Sequence, residues 1–255
     1  MDRLPILARL DHERRTLARD GEVAEMLPSI TRLGGADGSW RSVAFSDLTA
    51  DSADAAIARE VEHHRQLGVP FEWKLYGHDN PPDLAERLRR HGFQIGAREA
   101  LLVYDLREPP KWLDQTNIDA VVRVETPEQV EAYRRVAEEA FGRDERDTAS
   151  QLLAALQSGS TQHRGYIALA GGEPASVGRL YTHPRSVFGG LYGGGTRPAF
   201  RGRGLYRALV AARARDALAA AARYLQVDAL PTSRPILERL GFQWLTDTWP
   251  CTWTP

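Results

Sequence analysis

Apolar positions along this chain recur at two spacings, one near 3.6 residues and one of two, and the switches between them mark its elements. Residues 120–124 read as a strand, and Thr126-Pro127-Glu128 then supplies an N-cap with proline at the first helical position. A helix is predicted from there to about Phe141 and a second over Thr148 to Gln157. Strands at Tyr166 to Ala170 and Ala175 to Tyr181 flank Gly171-Gly172-Glu173-Pro174, a strong hairpin signal. A third strand, Phe188 to Gly194, runs into a glycine-rich turn, and a long helix follows over residues 204–222 with Leu205, Ala208, Leu209 and Ala212 on one face. Tyr224 to Asp228 reads as a buried strand, Ser233 to Leu240 as a short helix and Phe242 to Thr246 as another strand. The order is strand, two helices, three strands, helix, strand, helix, strand, which defines an α/β (α+β) fold on a mixed sheet.

Residues 107–120, with Pro109-Pro110 and a polar run from Asp114 to Asn117, lack either period and read as a linker. Before it, Ala53 to Leu67 reads as a helix and Phe71 to Tyr76 as a strand. Residues 82–94 can be laid without gaps on residues 231–243, with Pro, Leu, Arg, Gly, Phe and Gln coinciding, and each stretch lies between two strand-like segments. The chain therefore divides into two related parts, 1–108 and 119–255, joined by 109–118.

Composition narrows the chemistry. A chain of 255 residues with 42% hydrophobic content can bury one large core or two modest ones. Its 33 basic and 34 acidic residues create no global field for nucleic acid or anionic membrane, so an anion site has to be local. Cys251 is the only cysteine, which excludes an internal disulfide and a cysteine-rich metal cage, and no metal is expected. No apolar run approaches the length of a membrane span and the first twenty residues are charged throughout, so a cytoplasmic protein is expected.

One local site stands out. In Thr196-Arg-Pro-Ala-Phe-Arg-Gly-Arg-Gly-Leu-Tyr-Arg207, two glycines and several arginines precede a helix directly. Gly202 and Gly204 let backbone approach an anion, and the first N–H groups of the helix and its dipole favour negative charge there. A dinucleotide fingerprint would need glycine where Arg207 stands, and a P-loop would need Gly-Lys-Ser/Thr. A basic turn without a ligand is the bland alternative.

The segment resembles the acyl-CoA loop of the GCN5-related N-acetyltransferases, whose motif is Arg or Gln, two residues, Gly, one residue, Gly or Ala; Arg201, Gly204 and Tyr206 occupy those places. Tyr206 departs from the small residue usual there. Arg239-Leu240-Gly241-Phe242 is similar to a late turn of the same family, and the predicted element order is that of its acyl-CoA N-acyltransferase fold. The resemblance implies an acetyl-CoA-binding domain over 119–255 that moves an acetyl group directly to an amine, with a small-molecule acceptor favoured and a non-catalytic acyl-CoA sensor as the alternative. It implies that Gly194, Gly195 and Thr196 pair with the pantetheine arm, and that the amides of Gly202, Arg203, Gly204, Leu205 and Tyr206 take the pyrophosphate. Arg201, Arg203 and Arg207 would add charge, and Ser233 lies where a later helix approaches CoA.

The tyrosine and asparagine that many members use before the late glycine are here Leu237 and Leu230. Tyr192 and Asp228 are the catalytic candidates by location, with His163 and His183 as possible bases. The turn Gly142 to Asp147, with charges of both signs, reads as a solvated loop, and the tail Trp249 to Trp253 as a pocket lining or a final core strand. The part before the linker has no glycine between Gly38 and Gly68, hence no phosphate loop; Asp47, Asp51 and Asp54 are expected to occupy its helix start.

Overall fold

The computed structural model describes residues 2–38 and 40–255. In chain order its elements are α1 (Leu4–Thr16), β1 (Glu22–Met26), β2 (Ile30–Gly35), β3 (Arg41–Ser46), α2 (Ala53–Leu67), β4 (Phe71–Tyr76), α3 (Leu84–Arg90), β5 (Gln94–Ile95), β6 (Glu99–Asp105) and α4 (Lys111–Gln115). They continue with β7 (Val121–Arg123), α5 (Pro127–Phe141), α6 (Arg146–Gln157), β8 (His163–Ala170), β9 (Glu173–Tyr181) and β10 (Phe188–Thr196). The last are α7 (Leu205–Ala219), β11 (Tyr224–Ala229), α8 (Arg234–Arg239) and β12 (Gln243–Trp253). The chain forms two compact units, residues 1–102 with 228–255, and residues 103–227.

In the first unit the strand order is β1-β2-β3-β4-β12-β6, with β5 also on β12. β3 and β4 run parallel, and β12 is antiparallel to β4, Trp253 opposite Phe71 and Thr248 opposite Tyr76. The last strand of the chain thus completes the sheet begun by the first residues. Strict alternation on β4 sends Phe71, Trp73 and Leu75 into the core, where Ile57 and Val61 of α2, Leu84 and Leu88 of α3, and Cys251 and Trp253 meet them. Helix α2 presents Ala53, Ala56, Ile57, Glu60, Val61 and His64 inward at helical spacing and ends on Gly68 at φ +66°. Buried Glu60 is held by both ends of the Arg32 guanidinium at 2.7 and 2.9 Å.

The internal repeat is a repeat of local structure. Leu88 and Leu237 are both fully buried, each accepts from the N–H of a phenylalanine five residues on (Phe93 and Phe242, both at 3.1 Å), and the intervening Gly92 and Gly241 have φ +91° and +92°. Only glycine adopts that conformation without strain, which is why the two segments keep Gly-Phe in register.

The second unit has the order β11-β10-β9-β8-β7. β10 and β11 are parallel and the remaining pairs antiparallel. Val130, Tyr133, Val136 and Ala137 of α5 and Ala149 and Leu152 of α6 cover Ile167 and Val177 on one face of this sheet. Helix α7 packs on the other, where Asp216 takes the Tyr166 hydroxyl and the Arg123 guanidinium. Helix α5 opens with a full capping box: Thr126 Oγ1 accepts from Gln129 N–H at 3.3 Å, and Gln129 Oε1 accepts from Thr126 N–H at 3.1 Å. Gly171 and Gly172, at φ +61° and +86°, make the two-residue turn between β8 and β9.

Several expectations need correction. The stretch read as a linker contains α4, whose Trp112 and Leu113 are buried while Arg215 of α7 donates to the Leu113 carbonyl at 2.7 Å. A helix that short carries no readable period. The carboxylates ahead of α2 do not cap it. Ser52 is the N-cap residue and exchanges hydrogen bonds with Thr49, Asp47 and Asp51 stay exposed, and Asp54 turns to Arg87 and His91. The turn after α5 is not simply solvated either, because Glu145 is buried, accepting from Arg143 Nε at 2.8 Å and Thr148 Oγ1 at 2.7 Å. The aromatic tail is a core strand.

Within that strand Cys251 is fully buried, and burial pushes its thiol pKa up to about 12. A thiolate-selective reagent at pH 8 is therefore expected to titrate no thiol in the native protein and one per chain in denaturant. A native thiol reacting at the rate of free cysteine would contradict this burial.

Candidate acyl-transfer site

The site is built where β10 stops being an ordinary strand. Its ladder to β11 covers only Phe188 to Gly190 opposite Tyr224 to Gln226. On its other side Tyr192 faces Arg179 and Gly195 faces Val177, so three steps on β10 oppose two on β9. That is a β-bulge, with Gly193 at φ +55° as its hinge. Gly193-Gly194-Gly195 thus lie in a bulge just beyond the end of pairing to β11.

The glycines are also demanded by what lies against them. A Cβ on Gly194 would sit 2.7 Å from the Tyr206 ring, and one on Gly195 would sit 2.6 Å from the Phe141 ring. Tyr206 is thus brought onto Gly194 itself. Its bulk is accommodated because the strand opposite it has no side chain.

A bulge leaves carbonyl groups out of the ladder, and buried ones need donors. Arg213 of α7 supplies them. Only 1% exposed, it sends Nη1 to the carbonyls of Arg179 at 3.1 Å and Tyr192 at 3.4 Å, and Nε to Leu209 of its own helix at 3.0 Å. It fits because Gly178 lies beneath it, where a Cβ would be 2.8 Å from the guanidinium carbon. Burial pulls its pKa below the usual arginine range. Beyond the bulge Ser176 Oγ takes over, 2.7 Å from both Gly195 O and Thr196 Oγ1.

After β10 the chain turns through a 3-10 turn, Pro198–Phe200, into Arg201, Gly202, Arg203 and Gly204, all exposed. Gly202 and Gly204 have φ +77° and +79°, and no atom lies within 4 Å of where a Cβ of either would stand. Gly204 is the N-cap of α7 and accepts from Ala208 N–H at 3.0 Å, so the amides of Gly202 to Arg207 precede the helical ladder at its positive end. The three arginines differ. Arg201 returns to main chain, with Nε 3.2 Å from Thr196 O and Nη2 3.5 Å from Ala140 O, while Arg203 donates to Ala199 O at 3.2 Å and lies over Phe200. Arg207 is exposed and has no ion pair among the described residues.

Tyr192 lies on β10 immediately before the bulge, its ring over Gly190, where a Cβ would be 2.4 Å away. Asp228 and Ser233 belong to the first unit. Asp228 accepts from Thr248 Oγ1 at 2.8 Å and pairs with Lys74 at 3.3 Å, and Lys74 also holds Glu99 at 2.8 Å. Burial works against the Lys74 ammonium, but Asp228, Tyr76 and Glu99 outweigh it and hold its pKa above the ordinary range. Ser233 is the N-cap residue of α8 and donates to Leu230 O at 3.2 Å. His183 Nδ1 accepts from Arg185 N–H, and His163 stacks on Tyr181 at 4.0 Å.

The sequence reading missed Arg179, Tyr181 and Arg213. Arg213 did leave a signal, as the one charged residue in the apolar run Leu209 to Ala214. Asp11, His78 and Asp79 gather in the first unit as metal ligands might, but Arg14 already bonds Asp11 at 2.7 Å and Asp79 at 3.1 Å, filling the place of a cation. No helix among the described residues is long and apolar enough to cross a membrane.

A bulged strand with its parallel neighbour released, followed by a glycine loop and helix, defines the acyl-CoA N-acyltransferase class of fold. Solved structures share it along most of the chain. A GCN5-related N-acetyltransferase from Kribbella flavida is similar at TM-score 0.65 and 17% identity, covering 92% of this chain and 90% of that one. One from Sphaerobacter thermophilus is similar at 0.60 and 12% over 98% and 90%. A tandem GNAT protein from the clavulanic acid biosynthesis pathway is similar at 0.56 and 14% over 96% and 87%. No curated protein matches in sequence. Residues 127–242 match the acetyltransferase (GNAT) family model. Residues 127–242 thus form a GNAT-family acetyltransferase domain, and the chain around it shares the fold of solved GCN5-related N-acetyltransferases.

Replacing Arg213 by methionine keeps the volume and removes the donors to the bulge. Amide exchange of residues 192–196 is expected to accelerate about tenfold or more, the loss of roughly 1.5 kcal/mol or more for hydrogen bonds from a charged donor. Unchanged exchange in an intact fold would show that the bulge stands without the guanidinium.

Proposed function

We propose that the protein transfers an acetyl group from acetyl-CoA directly to the amine of a small molecule. The observation that carries this reading is the exposed loop from Arg201 to Gly204 at the start of α7, with open space over both glycines, one turn beyond a strand whose edge has been released. A pyrophosphate fits such a place because main-chain N–H groups and the helix dipole converge there, and the unpaired Arg207 adds charge. Gly194 to Thr196 would hold the pantetheine arm by strand-like pairing. Acetyl-CoA supplies a thioester, and the chain supplies position: a fixed bulge and main-chain donors near the reacting carbonyl.

Leu237, where many relatives are expected to place a tyrosine, is fully buried and can carry no proton. Asp228 is committed to Lys74 and Thr248. Tyr192, beside the bulge, takes the part of proton donor to the departing thiolate in this proposal. In the part of the chain before residue 103, among the described residues, no turn with two positive-φ glycines leads into a helix. Its β3–α2 connection lacks glycine and buries Leu48 in the core, so we assign it a supporting role without CoA.

Titration with acetyl-CoA, followed by thermal unfolding, tests the donor. At about a hundred times the dissociation constant, stability should rise by about 2.7 kcal/mol. Arg207→Glu, at an exposed helical position, should weaken binding at least tenfold with the melting temperature of the free protein unchanged. Equal affinity in the variant, or no stabilisation of the wild type, would overturn the site. Tyr192→Phe tests the proton donor: thiol release should fall about tenfold or more in kcat with little change in KM for acetyl-CoA. Stabilisation by acetyl-CoA with no release to any amine would instead mark a sensor.

A further inference from the structure

On the α5 face of the sheet, at the mouth of the bulge, stands a guanidinium without an anion. Arg179 projects from β9 opposite Tyr192. Its Nε is sealed from solvent with no hydrogen-bond partner, and the side chain forms no hydrogen bond or ion pair among the described residues. Other arginines of this chain show what is missing, since Arg32, Arg87, Arg134 and Arg197 each hold two carboxylates. Glu145, the carboxylate whose field reaches the neighbouring Tyr133, is already held by Arg143 and Thr148.

The surroundings of Arg179 are apolar and aromatic. A Cβ on Gly193 would lie 3.2 Å from its Nε and 3.4 Å from both its Nη2 and the Tyr133 hydroxyl. The Tyr181 ring is 6.0 Å from its guanidinium carbon, with His163 stacked on that ring and Tyr192 edge-on to it at 5.2 Å. A half-buried guanidinium with one sealed donor left unpaired is under-satisfied, and an incoming anion relieves it. The planar fork of one guanidinium suits a carboxylate, taken in two parallel bonds. Beside the same bulge that would hold the acetyl group, that anion belongs to the acceptor.

Resting on the proposed function, we infer that the acceptor is an amine that also carries a carboxylate, bound by Arg179 with its apolar part against Tyr181, Tyr192 and His163. The transfer itself is unchanged. The amine nitrogen forms the new bond to the acetyl carbon, the carbon–sulfur bond breaks, the thiolate takes a proton and the amine loses one.

The test is thiol release from acetyl-CoA with matched pairs: L-phenylalanine against L-phenylalaninamide, and glycine against glycinamide. Amidation leaves more of the amine neutral at pH 7.5, so intrinsic reactivity favours the amides and a preference for the acids reports recognition. We expect kcat/KM about tenfold or more higher for at least one acid than for its amide. Arg179→Gln should erase that ratio by raising KM for the acid, with kcat changing less, and Arg179→Lys should restore part of it. Amides used as well as or better than acids by the wild type, or a loss in Arg179→Gln that is equal for both, overturns the inference and leaves the proposed function standing. Failure of acetyl-CoA to bind overturns both. If acetyl-CoA binds and no pair reacts, thermal shifts of the CoA-loaded protein decide: stabilisation by N-acetyl-L-phenylalanine and not by its amide supports the inference, and none from either overturns it.

Discussion

The second unit depends on one irregularity, the extra residue in β10, and on the donor that makes it tolerable. A bulge in a buried strand costs free energy unless the displaced carbonyls find partners. Arg213 reaches across from α7 to two of them, and Ser176 receives the strand again beyond the gap. The charge of Arg213 is expensive to bury, and polarised main-chain acceptors offset part of that cost. Gly178, with no side chain, makes room for it.

The same constraint propagates to the surrounding side chains. With β10 displaced, Tyr206 and Phe141 close on Gly194 and Gly195 from opposite helices, and Tyr192 lies over Gly190. Each glycine is a place where backbone and an aromatic ring come closer than any Cβ would permit. The loop that follows is different in kind, for its glycines face open space and are required by positive φ alone. Close packing therefore governs the strand, and backbone conformation governs the loop. The two kinds of glycine serve one arrangement, a bulged strand leading to an exposed loop.

In the first unit the β3–α2 connection has no glycine, and ordinary burial organises it. Leu48 enters the core from the β3–α2 connection, and Arg32 is held against Glu60 and Lys74 against Asp228 and Glu99. Arg14, held by Asp11 and Asp79 and stacked 3.5 Å over Tyr76, belongs to the same pattern. Arg179 of the second unit has no such carboxylate among the described residues, and it stands beside the bulge.

Local rules carried the reading of the sequence a long way. Helices α2 and α5, strand β4 and the turn at Gly171-Gly172 follow from period, caps and positive-φ glycines within a few residues, and the repeat of Leu88-to-Phe93 in Leu237-to-Phe242 is visible because one hydrogen-bonded turn demands one set of residues. The positive-φ geometry at Gly202 and Gly204 is local in the same sense. What only the tertiary structure decided depends on residues far apart in the chain: that β12 completes the sheet of the first unit, that α4 forms by burying Trp112 and Leu113, that Arg213 turns inward to the bulge, and that Arg179 meets no carboxylate among the described residues. Propensity and spacing describe a residue's own backbone, whereas the partner of a buried charge is set by whichever distant strand or helix folding brings against it.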